Sequence, residues 1–157
     1  MLSHQSVYSL AKNFKGFSEE SVRENGYDLR ICGDKYYEVE GGATLPDSAS
    51  SLKELEFKEY AELEPLRTYL FESCEEVAMP ADVAGAMTLR STFARNGFVS
   101  PPTVVDAGYR GKITIALTSF YKAKLRKGTR VVHLVFFRLD EPAKMLYSGK
   151  YQGGKVI

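Results

Sequence analysis

A carboxylate and an aromatic ring stand close together in residues 105–111, directly before a strand-like run at 113–117. Asp106 has no His or Cys near it in the sequence, and a carboxylate in such a place is suited to orienting and deprotonating a water molecule. Tyr109 can offer its ring face to a flat or cyclic substrate, and the neighbouring glycines let the backbone approach that substrate closely. The same residues also fit an ordinary hairpin loop that begins with an Asp turn.

A second set of candidate residues lies at 90–95, where two arginines are five residues apart and two hydroxyls follow the first of them. Arg supplies a charged fork of donors and Ser a neutral donor beside it, so Arg90, Ser91, Thr92 and Arg95 are candidate phosphate ligands. If the segment is a short helix, Ser91 and Arg95 share a face and would converge on one ligand. A solvated surface turn is the alternative.

The net charge of +1 hides a strong asymmetry between the two halves of the chain. Residues 19–82 contain 17 acidic and 6 basic residues, whereas residues 83–157 contain 3 acidic and 13 basic ones. Eight Lys or Arg residues fall between Asp106 and Asp140 with no carboxylate among them. The basic half could hold a polyanion, or the two halves could attract one another within a subunit or across an interface.

The composition is that of an ordinary globular protein, with 44% hydrophobic and 26% charged residues. No window approaches the roughly 18 apolar residues of a membrane helix, and the first residues do not resemble a signal peptide, so we expect a cytoplasmic protein without a membrane or nucleic-acid partner. Cys32 and Cys74 are far in sequence from each other and from His4 and His133. No zinc motif results, and we expect two thiols rather than a disulfide.

The hydrophobic pattern predicts one short helix followed by many strands. Apolar residues from Val7 to Phe14 follow the i, i+3, i+4, i+7 spacing of an amphipathic helix that Gly16 ends. Runs rich in β-branched and aromatic residues, separated by Gly and Pro turn signals, predict strands. These runs cover residues 27–31, 36–39, 68–71, 76–79, 112–120 and 130–139.

Two further stretches have a less regular pattern. Residues 131–137 are almost continuously apolar, which predicts a strand buried on both faces, inside a sandwich or at a subunit interface. Residues 51–64 fit either a helix or an edge strand, and we favour a strand from about Phe57 onward. No repeat, low-complexity segment or linker is visible, so we expect a single domain over residues 1–157.

The order of the motifs resembles that of the dUTPase and dCTP deaminase superfamily from about residue 21 to the C-terminus. The matching residues are Tyr27-Asp28-Leu29, Arg90-Ser91-Thr92 with Ala94-Arg95, Val105-Asp106-Ala107-Gly108-Tyr109-Arg110-Gly111, residues 130–134, and Tyr147 with Lys150-Tyr151-Gln152-Gly153. The resemblance implies an all-β, distorted β-barrel or jelly-roll subunit of the dUTPase type, following the short N-terminal helix. It also implies a homotrimer whose active sites are shared between subunits.

Two branches of this superfamily do different chemistry on a shared pocket. The deaminase branch is similar to this chain in Ser91, Arg95 and the C-terminal Lys-Tyr-Gln, but it has a Glu ten residues after the motif Asp, where this chain has Ala116. A methyl group can neither accept a proton from water nor return it to a leaving amine. Thr114 and Thr118 are poor general bases, and the zinc route lacks its ligands.

We therefore expect a dUTP diphosphatase that hydrolyses dUTP to dUMP and pyrophosphate with Mg²⁺. The resemblance implies that Asp106 activates the water that attacks the α-phosphorus, that Asp28 reaches Mg²⁺ through water and that Tyr109 stacks under the deoxyribose. The main chain at 113–117 would recognise uracil. The substrate-binding candidates are Arg90, Ser91, Thr92, Arg95, Tyr109, Ile113, Tyr147, Lys150, Tyr151 and Gln152.

Two departures from the diphosphatase pattern keep other interpretations open. His133 stands where a Gln is usual, and the Gly-rich, basic residues 147–157 are closer to the deaminase branch. These last residues could form a mobile arm that closes over the phosphates, or a frayed terminus. The alternatives are a dCTP deaminase, a bifunctional enzyme that converts dCTP to dUMP, and a non-catalytic nucleotide-binding regulator.

Overall fold

Strands make up most of the protein, and the computed structural model describes all residues from 1 to 157. The strands are β1 (Tyr27–Gly41), β2 (Ser51–Glu56), β3 (Tyr60–Leu63), β4 (Thr68–Ala78), β5 (Val83–Leu89), β6 (Phe98–Val99), β7 (Val104–Val105), β8 (Arg110–Ser119), β9 (Ala123–Arg126) and β10 (Arg130–Arg138). The helices are α1 (His4–Ala11), α2 (Ser91–Arg95) and a 3₁₀ turn (Glu19–Ser21). Neither α-helix has the length and apolar character that crossing a membrane requires.

Eight strands form one curled antiparallel sheet in the order β6-β8-β4-β1-β10-β5-β7, with β2 paired to β1. Strands β3 and β9 form a separate pair. The predicted all-β fold with a short N-terminal helix is confirmed. The homotrimer and the division into one domain with a mobile arm stay predictions.

Buried and half-buried residues alternate along β8, and this pattern determines which face of the strand packs against the core. Ile113, Ile115 and Leu117 are buried in the core, while Thr114 and Ala116 are half-buried on the opposite face. Successive strand residues point to opposite faces, so this apolar-polar alternation permits one register only. The outward face of β8 is therefore small and hydroxyl-rich, and its inward face is apolar.

Helix α1 begins and ends earlier than the sequence predicted. Ser3 caps it, since its side chain accepts a hydrogen bond from the Ser6 N–H at 3.4 Å. Val7 and Ala11 face the core, and Phe14 lies beyond the end of the helix and packs edge-on against Tyr27. The apolar spacing was read correctly, but its last member belongs to the following turn.

Two expectations about strands were wrong in part. Residues 51–64 form two strands, β2 and β3, rather than one strand from Phe57 onward, and Phe57 is buried in the turn between them. In β10 only one face is fully buried, because Val135 is half-buried and Phe137 is 40% exposed. Within one subunit the strand is therefore not enclosed on both faces, and a subunit interface remains the predicted cover for its outer face.

The expectation of two free thiols was also wrong, because Cys32 and Cys74 form a disulfide. The two residues are 42 positions apart in sequence, but they lie on neighbouring strands, with their Cα atoms 4.7 Å apart. Cys32 pairs with Glu72 in the β1–β4 ladder, which puts Cys74 in reach of it. The pairing depends on strand order, and spacing in the sequence carries no signal for it.

The charge asymmetry is resolved largely within the subunit. Five of the eight cations between Asp106 and Asp140 lie within 4.0 Å of an acidic residue from the first half of the chain. The pairs are Lys112–Glu72, Lys122–Glu64, Arg126–Glu59, Arg130–Asp28 and Arg138–Asp82. Attraction between the two halves within one subunit therefore accounts for most of the asymmetry.

Candidate active site

Asp106 and Tyr109 lie on the tight loop between β7 and β8. The Tyr109 N–H donates to the Asp106 carbonyl oxygen at 3.1 Å, and Gly108 between them has a φ of +87°, which favours glycine. The Asp106 side chain is exposed, whereas the Tyr109 ring is buried. The loop therefore presents an accessible carboxylate beside an enclosed aromatic ring.

A cavity of about 420 Å³ opens beside this loop. Its lining is mainly apolar and aromatic, which is the usual form of a small-molecule site. The lining residues are Met87, Thr103, Val104, Val105, Asp106, Tyr109, Ile113, Thr114, Tyr147, Tyr151, Lys155 and Val156. Five of the predicted site residues meet here: Asp106, Tyr109, Ile113, Tyr147 and Tyr151.

The Tyr109 side chain is held in place from two sides. Its ring packs edge-on against Tyr147, with centroids 5.3 Å apart, and its hydroxyl donates to the Lys112 carbonyl oxygen at 2.5 Å. Burial, and to a lesser extent the neighbouring Tyr147, raises the pKa of Tyr109 above its ordinary value. The hydroxyl therefore stays protonated at neutral pH and remains a donor. The stacking of this ring under a sugar stays a prediction.

The C-terminal residues fold back over the loop and the start of β8. The Tyr147 N–H donates to the Ala107 carbonyl oxygen at 2.8 Å, and the Gly153 N–H donates to the Arg110 carbonyl oxygen at 2.8 Å. Gly111 has a φ of +132°, and a side chain there would meet the backbone of Gly153. Close approach of the two backbones thus requires glycine at position 111.

Two other predicted site residues of this C-terminal segment, Lys150 and Gln152, do not line the cavity. The Gln152 side chain accepts a hydrogen bond from the Arg110 N–H at 2.8 Å and donates to the Gly108 carbonyl oxygen at 3.2 Å. Lys150 is exposed, with its Nζ 5.3 Å from the centroid of the Tyr151 ring. Gln152 therefore fixes the segment to the Asp106 loop, while Lys150 makes no such contact with that loop.

A second cavity, of about 280 Å³, is polar and lies at the start of α2. Its lining residues are Arg23, Glu24, Asp28, Thr88, Leu89, Arg90, Ser91 and His133. Guanidinium and hydroxyl donors of this kind bind phosphate. Asp28, Arg90 and Ser91 are the predicted site residues that meet in this cavity, and none of them lines the first one.

Asp28 is the centre of the second cavity and is only 2% exposed. One carboxylate oxygen lies 3.0 Å from Arg90 Nε and 3.6 Å from Arg130 Nη1. The other lies 2.8 Å from His133 Nδ1. Asp28 therefore contacts two guanidinium groups and one imidazole, of which Arg90 and His133 line the cavity.

The role of Asp28 as a water-mediated Mg²⁺ ligand stays a prediction. Both of its oxygens already face donors, and no group of three or more His, Cys, Asp or Glu residues that could hold a metal ion is present. Mg²⁺ takes oxygen ligands, and the neighbouring guanidinium groups would repel it. Dependence on Mg²⁺ also stays a prediction.

Helix α2 forms as the sequence allowed, but its polar residues do not all converge. Phe93 is the buried anchor of the helix and packs edge-on against Phe98 at 5.2 Å. Ser91 reaches the second cavity, whereas Thr92 and Arg95 are exposed and line neither cavity. The expected convergence of Ser91 and Arg95 is therefore not seen within one subunit, and phosphate contacts by Thr92 and Arg95 stay predictions.

Two main-chain groups of β8 that were expected to recognise the base already form hydrogen bonds within the subunit. The Ile113 N–H donates to the Ser73 hydroxyl at 2.8 Å, and the Ala116 carbonyl oxygen accepts from the Ser100 hydroxyl at 2.7 Å. These two groups are thus already used inside the subunit. Substrate recognition by Ile113 stays a prediction.

Sequence reasoning missed the contact of Arg130 with Asp28 and the place of Thr114 in the lining of the first cavity. Arg130 reaches Asp28 because β1 and β10 are paired in the sheet, with Asp28 directly opposite His133. Thr114 lines the first cavity from the outward face of β8. The alternation along 130–134 and 113–117 could have indicated which side chains share a face, but the partner strand could not be read from either run.

Comparison with solved structures supports the fold. A dCTP deaminase from Agrobacterium tumefaciens superposes with a TM-score of 0.74 at 21% identity, over 88% of this chain and 46% of that one. A dUTPase of Staphylococcus bacteriophage 80alpha superposes with a TM-score of 0.54 at 16% identity, over 88% of this chain and 97% of that one. At these identities the likeness shows the fold of the dUTPases and dCTP deaminases, with no choice between them.

Sequence comparison is more specific. A family model described as dCTP deaminase-like matches residues 1–139. A dCTP deaminase of Sulfurisphaera tokodaii is 40% identical over 148 residues, which cover 88% of this chain and 78% of the relative. The chain therefore belongs to the dCTP deaminase-like family, within the dUTPase and dCTP deaminase superfamily.

The predicted dUTP diphosphatase function, with dUTP as its substrate, is wrong. Curated relatives that are 37–44% identical to this chain are named dCTP deaminase. The prediction rested on one position, Ala116, where a methyl group replaces a carboxylate. Loss of one proton-transferring side chain does not show that neighbouring residues cannot supply the proton, whereas the similarity to these relatives extends over 88–90% of the chain.

Proposed function

We propose that this protein is a dCTP deaminase, which replaces the 4-amino group of the cytosine in dCTP by oxygen and releases ammonia and dUTP. The observation that carries the proposal is the 37–44% identity to dCTP deaminases over 88–90% of the chain. The family match over residues 1–139 agrees with it.

The first cavity has the chemistry expected for the nucleoside. Tyr109, Tyr147 and Tyr151 supply aromatic surface for a planar base or a sugar. Asp106 supplies an exposed carboxylate that can accept hydrogen bonds from hydroxyl or amino groups. The volume of about 420 Å³ lies within the usual range for small-molecule sites.

The second cavity has the chemistry expected for the triphosphate. Arg90 is held by Asp28 at 3.0 Å, and Ser91 at the start of α2 adds a hydroxyl donor. Pre-oriented arginines bind phosphate oxygens with less loss of side-chain freedom. Because the two cavities share no residue within one subunit, we propose that a nucleotide is bound between subunits, with one cavity supplied by each.

Nucleotide binding without turnover is a second candidate function, and Ala116 is the observation that favours it. The family's expected carboxylate is missing at this position, while the aromatic and basic residues of the two cavities are retained. Such a protein would bind dCTP and leave it unchanged.

Two measurements on the same preparation separate the candidates. Ammonia release from dCTP is assayed together with calorimetric binding of dCTP, with CTP as a test of sugar selection and Asp106→Asn as the matched variant. The proposal expects ammonia and dUTP from dCTP, and a large loss of activity in Asp106→Asn. Binding of dCTP without ammonia would instead establish the second candidate, and the absence of both would refute the two together.

A further inference from the structure

The outward face of β8 has no group that can transfer a proton. Its half-buried side chains are Lys112, Thr114, Ala116 and Thr118. The lysine ammonium group has donors only, and unassisted hydroxyls are poor bases at neutral pH. A deaminase at this position of the fold therefore needs a carboxylate from another strand.

Strand β4 supplies two carboxylates on the same face, and Glu72 lies nearer to position 116 than Glu76, which pairs with Lys112. Glu72 pairs directly with Thr114, and Leu70 pairs directly with Ala116. Directly opposed residues of antiparallel strands point to one face with Cβ atoms about 4.5–5.5 Å apart, and diagonal neighbours are about 7–8 Å apart. Glu72 is thus the direct neighbour of cavity-lining Thr114 and the diagonal neighbour of Ala116. The two-residue strand β6, on the other side of β8, carries no carboxylate.

We propose that Glu72 transfers protons during deamination, from β4, in place of a carboxylate at position 116 on β8. The inference rests on the proposed dCTP deaminase activity. A glutamate side chain has two methylene groups, so it can extend over Thr114 toward the space that the Ala116 methyl leaves open. The carboxylate that transfers the proton would thus lie on β4 instead of on the neighbouring strand β8, on the same face of the sheet.

The carboxylate of Glu72 is available for this role. Its side chain is 33% exposed, and its one ion pair is a long contact of 3.9 Å to the accessible Lys112. By contrast, Glu75 on the same strand is fully buried and accepts three hydrogen bonds. Asp28 is held by Arg90 and His133. Glu72 can therefore change partners during a reaction without breaking a buried network.

The proposed step balances as a hydrolysis. Glu72 takes one proton from water as the water oxygen bonds to C4 of cytosine, and it passes this proton to N3. Glu72 then takes the proton of the new C4 hydroxyl and gives it to the 4-amino nitrogen, the C4–N bond breaks with its electron pair on nitrogen, and ammonia leaves. The C4 oxygen becomes the carbonyl, so one water is consumed and the carboxylate is regenerated.

The test compares wild type with Glu72→Gln, Ala116→Glu and the double variant of both, with Glu76→Gln as the control. Glu76 is on the same strand, and its ion pair is an exposed contact of 3.7 Å to Lys15. For each protein, kcat and KM for ammonia release from dCTP and the Kd of dCTP are measured. We expect Glu72→Gln to lower kcat about a hundredfold or more with little change in Kd, and the double variant to recover activity. Glu76→Gln should behave as wild type.

The outcomes separate this inference from the proposed function. An active wild type whose activity survives Glu72→Gln overturns the role of Glu72 and leaves the deaminase proposal standing, with Asp106 as the remaining carboxylate of the cavity. If the wild type releases no ammonia but the Ala116→Glu variant does, the pocket is that of a deaminase and Glu72 does not transfer the proton. A silent wild type and a silent Ala116→Glu variant refute both proposals.

Discussion

Glu75 is the most enclosed charge in the protein and shows how single residues secure the fold beside the site. It is 0% exposed and accepts hydrogen bonds from the Tyr27 hydroxyl at 2.9 Å, the Arg30 N–H at 3.1 Å and Arg30 Nε at 2.9 Å. Burial, followed by the charge of Glu75, raises the pKa of Tyr27 to about 12. Tyr27 therefore remains a donor to this carboxylate at any physiological pH.

We predict that Glu75→Gln destabilises the protein by about 3 kcal/mol, because it leaves the Arg30 guanidinium without its partner in a largely buried setting. Urea unfolding followed by circular dichroism measures the change. Glu76→Gln, where the side chain is 42% exposed on the same strand, should cost less than about 0.5 kcal/mol. Equal losses in the two variants would contradict the structural role of Glu75.

At the scale of the elements, the sequence predicted which segments are helices and which are strands. It did not predict which strands are neighbours in the sheet. Strand β8 and helix α1 were found because apolar spacing and turn residues are local signals. The Cys32–Cys74 disulfide and the pairing of Asp28 with Arg130 were missed, because both depend on which strands are neighbours. The same limit applies to Glu72, whose relation to Ala116 exists only across β4 and β8.

The docking of residues 147–157 on β8 gives a prediction at this scale. Gly111→Ala would put a Cβ 2.5 Å from the carbonyl carbon of Gly153 and 2.7 Å from the Gly154 nitrogen. We expect the C-terminal segment to leave β8, so that the Gly153 amide exchanges with solvent at least about tenfold faster. Hydrogen exchange measured by mass spectrometry or NMR reports the change.

Gly128→Ala is the matched control, since Gly128 also has a positive φ of +89° but would place its Cβ in open space. Both substitutions carry the backbone cost of roughly 1 kcal/mol at a left-handed position. Only Gly111→Ala should release the C-terminal segment. Unchanged protection of Gly153 in that variant would show that the contact is not what holds the segment.

At the scale of the whole molecule, one subunit contains two separate cavities. The cavity with Asp106 and the cavity with Ser91 share no lining residue. Apolar side chains are also left uncovered, with Val104 63% exposed and Phe137 40% exposed. Both observations fit the predicted homotrimer, in which neighbouring subunits complete each site.

Mixing of two inactive variants tests the shared site. Asp106→Asn damages the first cavity, and Ser91→Asp adds a charge that repels phosphate at an exposed helix start that accepts Asp. Trimers formed from an equal mixture should regain roughly a quarter of the wild-type activity, because that fraction of sites receives both intact halves. Mixed trimers without recovery, or a stable monomer in light scattering, would contradict shared sites.

The activity was the part of the whole molecule that the sequence predicted least well. Ordered motifs identified the superfamily, since residue types at fixed positions reflect the fold and the pocket. The choice between its branches was wrong because it weighed one residue, Ala116, against a pocket built by several strands. Only the pairing of β4 with β8 shows another carboxylate near that position.

The most direct test of the proposed function follows the fate of dCTP in water enriched in oxygen-18. A deaminase transfers one water oxygen to C4 of the base, so mass spectrometry should find dUTP with one heavy oxygen on the uracil ring and ammonia in equal amount. Nucleotide that remains dCTP, although calorimetry shows that it is bound, would contradict the account and leave a binding protein in its place.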